Sequence, residues 1–185
     1  MVYPSGFGSL RRQFKSAQPH FALGKGGVIG TASKADSAVH RKMAASLFNS
    51  TWKLILKKRR TKADNDTMIH MAHASRYHWS VVGGPKELAI GEWQISHVYA
   101  LLGRSEPSLY HAQRSLEICE AGKIGDFPRA YAYEALARAF AMAGEPKLRG
   151  ACLKLAKAAG EKIAEADDRA LFFKDLGTVP RARRR

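Results

Sequence analysis

Apolar residues recur along this chain with a helical period, and no stretch competes seriously as a strand. Ala44, Phe48, Thr51 and Ile55 share one face, with Leu47 and Leu54 beside them. The pattern predicts a first helix, capped at Asp36 or Ser37 and running to about residue 58. Met68, Met71, Ala72, Ser75, Trp79 and Val82 form a second stripe at 3-4-3 spacing. Thr61 opens that helix, Asp64 completes a variant capping box, and Gly83-Gly84-Pro85 stops it. A third helix, over about residues 87–102, is apolar almost all round and therefore buried on two sides. A fourth is expected over about 106–121 and a fifth over 128–143. A sixth starts at Lys147 and runs toward residue 166, with Gly160 as a candidate break, and a short seventh covers 168–176. Gly103, Gly122 and Gly144 punctuate short connectors, which imply antiparallel neighbours. The expected fold is all-α, an antiparallel array of six to seven helices.

Charge divides the chain differently. The net charge is +15. Residues 1–60 hold twelve Lys and Arg against one acid, Asp36, while residues 61–180 carry fifteen of each sign. Arg181, Arg183, Arg184 and Arg185 supply the rest. A neutral body with two basic extensions suggests three parts: a basic N-terminal segment at 1–35 expected to be disordered, a helical domain at 36–177, and a basic tail at 178–185. The first segment is acid-free, like an organelle-targeting leader, but its amphipathicity is weak, and it has no apolar core of a secretory signal. No apolar run approaches the ~20 residues of a membrane span. Cys119 and Cys152 fall at apolar-compatible helical positions, read as buried free thiols.

Two helix pairs are related by a shift of 41 residues. Ile95, Ser96, Tyr99 and Gly103 match Leu136, Ala137, Phe140 and Gly144, and Ala112, Ser115 and Leu116 pair with Leu153, Ala156 and Lys157. Small residues at such places let helices approach closely, and the aromatic fills the gap between them. The pattern resembles the tetratricopeptide repeat, with Tyr133 at that motif's tryptophan place. Trp93 is one residue late for it, the terminal proline is missing, and the period exceeds the motif's ~34 residues. The strings at 72–79, 91–96 and 132–139 resemble a family of uncharacterised bacterial helical proteins over about residues 42–176. That resemblance implies a helical fold and a cytoplasmic setting, and it brings no activity with it.

Candidate chemistry is sparse. His70, His73 and Tyr77 lie within about 60° of one another beside the second stripe. A His pair at i, i+3 can hold a metal, but no further ligands are identifiable and H-E-x-x-H is absent. Glu134 and Arg138 are spaced to pair across one turn. Gly24-Lys25-Gly26-Gly27 is not a phosphate loop, because neither the motif nor a strand-to-helix unit surrounds it. No catalytic residue, metal ligand set or cofactor is assigned.

The leading expectation is a non-catalytic scaffold binding a protein or peptide in a groove, with His73, Tyr77, Trp93, Gln94, Tyr99 and Glu134 as candidate lining residues. The alternative is a nucleic-acid-associated protein binding through its arms. Its candidate contacts are Arg11, Arg12, Lys15, Lys57, Lys58, Arg59, Arg60, Arg183, Arg184 and Arg185. A second alternative places a metal or small molecule at the histidines.

Overall fold

The computed structural model describes residues 33–181, and within them every regular element is helical. Seven helices follow in order: α1 (Lys34–Ile55), α2 (Lys62–Val82), α3 (Pro85–Leu101), α4 (Ser105–Ala121), α5 (Asp126–Ala143), α6 (Pro146–Gly160) and α7 (Ala166–Leu176). Sequential pairs α1–α2, α3–α4 and α5–α6 make the most extensive contacts, so the body is three stacked hairpins. α3 and α5 also touch each other, which brings the first helices of the second and third hairpins together, and α7 closes the end against α5 and α6. No helix among the described residues is long and apolar enough to cross a membrane.

Local sequence sets most of the boundaries. The cap of α1 is Ser33, not Asp36 or Ser37. Ser33 Oγ accepts from the Asp36 backbone N–H, and the Asp36 carboxylate accepts in return from the Ser33 N–H, so Asp36 is the far half of a capping box. The helical body therefore begins before residue 36. Thr61 and Asp64 build the same box on α2, as expected. α1 stops at Ile55 rather than near 58, because the cation run folds back on it. Arg60 Nη1 donates to the Ile55 carbonyl at 3.0 Å, and Lys57 Nζ meets Asp64 at 2.7 Å. Pro85 and Asp126 extend α3 and α5 by a few residues beyond their expected starts.

The 41-residue repeat reappears in backbone bonding. The Arg104 N–H donates to the Tyr99 carbonyl and the Gly103 N–H to that of Ala100. The Glu145 N–H likewise donates to Phe140, and Gly144 to Ala141. Both glycines sit at positive φ, 72° and 77°, a conformation that a Cβ disfavours. Small residues also work as expected at the α3–α4 crossing. Ser96 Oγ donates to the Ser108 carbonyl at 2.8 Å, and Ser108 Oγ to the Ser96 carbonyl at 3.1 Å. Both serines are buried.

An aromatic chain crosses the core from α1 to α7. Trp52 meets Trp93, Trp93 meets Tyr131, and Tyr131 meets Phe172, with ring centroids 5.7, 4.8 and 5.0 Å apart. Edge and tilted contacts of this kind suit the ring quadrupole. Cys119 and Cys152 are buried free thiols, and burial pushes the Cys119 thiol up to about 11. The chain after α7 is not a free tail from residue 178. Val179 is buried, Arg138 donates to Thr178 Oγ1 at 2.8 Å, and Arg149 donates to the Pro180 carbonyl at 2.7 Å.

Candidate functional site

Three consecutive residues of α3 organise the polar interior. At about 100° per residue, Glu92, Trp93 and Gln94 must point in three directions. Glu92 points between α2 and α4. Its Oε1 meets Arg76 Nε at 3.0 Å, and its Oε2 accepts from His111 Nδ1 at 2.7 Å. Burial would raise the Glu92 pKa, but the His111 hydrogen bond and the Arg76 charge outweigh it and hold the carboxyl below its ordinary value. Gly91 makes this possible, since a Cβ there would come within 2.7 Å of Arg76 Cδ.

The cluster continues outward from Glu92. Tyr99 stacks on His111 with centroids 5.8 Å apart, and its hydroxyl lies 3.0 Å from His73 Nε2. His73 and His111 meet edge to face at 5.3 Å. Burial, then repulsion from His111, lowers the His73 pKa against the opposing pull of Glu92. The arrangement ties α2, α3 and α4 together through one carboxylate.

Trp93 points in a second direction, into a cavity of about 20 Å³ lined by Trp52, His97, Tyr131, Glu134, Arg138, Asp175 and Thr178. That volume matches a single water molecule. Glu134 accepts from Arg138 Nε at 2.8 Å. Burial raises the Glu134 pKa against the pull of Arg138. Asp175, raised by burial too, accepts from the Tyr131 hydroxyl at 2.8 Å. Burial and the Arg138 charge drive His97 down to about 3, so it stays neutral. Gln94 points in the third direction and donates to the Phe48 carbonyl at 3.1 Å, joining α3 to α1.

The six expected groove residues therefore do not line one groove. His73 and Tyr99 belong to the Glu92 cluster, while Trp93 and Glu134 line the cavity on another side of α3. Gln94 and Glu134 are each 1% exposed and serve the core. Tyr77 is 54% exposed and stands beside His40 and His78. Arg76 and His111 complete the Glu92 cluster without having stood out in the sequence. Glu92 itself, a carboxylate in an apolar helix, was the signal that cations must lie opposite.

Among the described residues, no group of three or more His, Cys, Asp or Glu could hold a metal ion. Of the candidate nucleic-acid contacts, Lys57 pairs with Asp64 at the start of α2 and Arg60 bonds the Ile55 carbonyl at the end of α1, while Lys58 and Arg59 are exposed. Arg11, Arg12, Lys15, Arg183, Arg184 and Arg185 lie outside the described residues. Comparison of the chain with protein-family models, with curated proteins and with solved structures finds no match in any of the three.

Proposed function

We propose that this chain is a non-catalytic helical-hairpin scaffold that binds a protein partner. One contrast carries the reading. The interior polar groups are engaged in joining helices: Glu92 to Arg76 and His111, Tyr131 to Asp175, and Gln94 to the Phe48 carbonyl. Large apolar side chains are left outside instead. Besides Leu56, Tyr77, Leu101 and Tyr110, they include Val39 and Met43 on α1, and Leu148 and Leu155 on α6, each of these four 42–59% exposed. Their spacings, i, i+4 and i, i+7, put each pair on one helix face. Scattered exposed leucines need no explanation, but aligned pairs on two helices of a stacked array fit contact surfaces. The likeness to tetratricopeptide repeats points the same way, since such arrays recognise partners along their helix faces.

The test is affinity capture by the full chain from a native lysate, with and without nuclease. A protein retained at fixed stoichiometry after nuclease supports the scaffold. A broad set of proteins that disappears with nuclease moves the function to the basic arms and removes this reading.

A further inference from the structure

α6 differs from every other helix of the array in its chemistry. It carries four cations, Lys147, Arg149, Lys154 and Lys157, and no acid. Arg149 is engaged with the Pro180 carbonyl. Lys147, Lys154 and Lys157 are exposed, and no described carboxylate lies within ion-pair reach of them. Beside them run Leu148, Ala151, Leu155 and Ala158 at 3-4-3 spacing, all exposed. At about 100° per residue these four occupy about 80° of arc, a continuous apolar strip with lysines along one flank. Leu148 and Leu155 are 47% and 49% exposed.

The repeat supplies an internal comparison. A shift of 41 residues maps Leu155 and Ala158 of α6 onto Arg114 and Glu117 of α4. On α4 those positions hold an exposed ion pair between the two side chains, the ordinary way to solvate a helix surface. α6 keeps the same outward positions but makes them apolar, and it replaces Glu106 with Lys147.

We propose that the outer face of α6 docks an acidic amphipathic helix of a partner protein; this rests on the scaffold reading. The apolar strip is what a second helix covers in helix-on-helix recognition. The lysine flank selects carboxylates beside the partner's apolar seam, as flanking charges do in paired helices. A second copy of this chain is a poor occupant, because two chains of +15 repel each other.

The probe is a synthetic helical peptide of about three heptads, with leucine at the seam and glutamate at the flanks. Fluorescence anisotropy with the full-length protein reads its binding, against the same peptide with lysine flanks. The Glu-flanked peptide is expected to bind. The double substitution Leu148→Ser/Leu155→Ser should weaken it by about tenfold or more, since each leucine loses a burying contact. The triple substitution Lys147→Glu/Lys154→Glu/Lys157→Glu should reverse the preference to the Lys-flanked peptide. All these positions face solvent, and unchanged helical circular dichroism establishes that the variants fold. The reversal separates the strip from diffuse attraction by the basic arms, which the triple variant retains.

Affinity unchanged by the leucine substitutions overturns the proposal. So does a preference for anionic lipid vesicles that the same substitutions abolish, or a concentration-dependent dimer that they dissolve. A native partner bound equally by all variants leaves the scaffold standing and removes α6 as its docking face. If the peptide binds as described while lysate capture yields no protein, the α6 strip holds and the scaffold reading is what fails.

Discussion

Gly160 poses a contest between helix propensity and packing that the structure decides. Gly160 is the last residue of α6, and replacing it with alanine in a helix would ordinarily stabilise by up to about 1 kcal/mol. Here the new Cβ would lie 2.3 Å from Phe172 Cε1, 2.5 Å from Cδ1 and 3.2 Å from Phe173 Cζ. Phe172 is fully buried, and its ring is braced by Tyr131 at 5.0 Å and Phe173 at 5.4 Å. Tyr131 is braced in turn by Trp93 and Phe127, so the ring has no free direction in which to yield. Overpacking of this kind costs about 1–3 kcal/mol and outweighs the propensity gain. Gly160→Ala is therefore expected to lose about 1–2 kcal/mol. Gly150 on the same helix is the control, because a Cβ there meets nothing within 4 Å. Gly150→Ala should gain about 0.5–1 kcal/mol from reduced backbone entropy. Urea unfolding followed by circular dichroism reads both as midpoint shifts at constant slope. The two variants should move to opposite sides of the parent. A Gly160→Ala protein as stable as the parent would refute the packing of α7 on α6 described above.

Other substitutions test the remaining joints. Ser96→Val should cost about 2 kcal/mol, and Ser96→Ala about 1, because the valine both deletes the hydroxyl and crowds the α3–α4 crossing; thermal melts rank them. Glu92→Gln should cost about 2 kcal/mol by leaving Arg76 and His111 half-buried without their anion. The double variant Glu92→Gln/His111→Gln should then cost less than the sum of the singles by about 1 kcal/mol. His97 is held at about 3 in the folded protein against 6.5 ordinarily. The unfolded chain thus takes its proton first, and His97 lowers stability as pH falls from 6.5 toward 3. Glu134 and Asp175, raised by burial, oppose this by protonating more readily in the folded state. Urea midpoints of His97→Gln and parent, compared between pH 7.5 and 4, should show less acid destabilisation in the variant; an identical pH profile would exclude a buried neutral His97.

What the sequence made legible is what is decided locally. Thr61 and Asp64 lie three residues apart and close their box without reference to the rest of the fold, and Gly160 ends α6 where the pattern offered a break. Gly103 and Gly144 sit one repeat apart and adopt the same left-handed turn. The Glu92 cluster was not legible, because Arg76 and His111 reach it from two other helices and their register depends on how whole helices pack. The assumed groove failed for a simpler reason. Trp93 and Gln94 are adjacent on a helix and cannot face the same side, a constraint already present in the spacing. The cation run at 57–60 reads as a surface patch, yet Arg60 bonds the α1 carbonyl that the helix leaves open. Residues 178–180 read as tail composition, yet Val179 packs into the core and Arg138 and Arg149, about 30–40 residues away in sequence, bond the segment to the body.

Hydrogen-exchange footprinting of the full chain with its captured partner tests the central claim most directly. A scaffold that binds through its helical body should show protection on helix faces within residues 33–181, strongest along α6, and the complex should survive nuclease. Protection confined to residues 1–32, 57–60 and 182–185, lost on nuclease treatment, would contradict it and place the function in the basic arms.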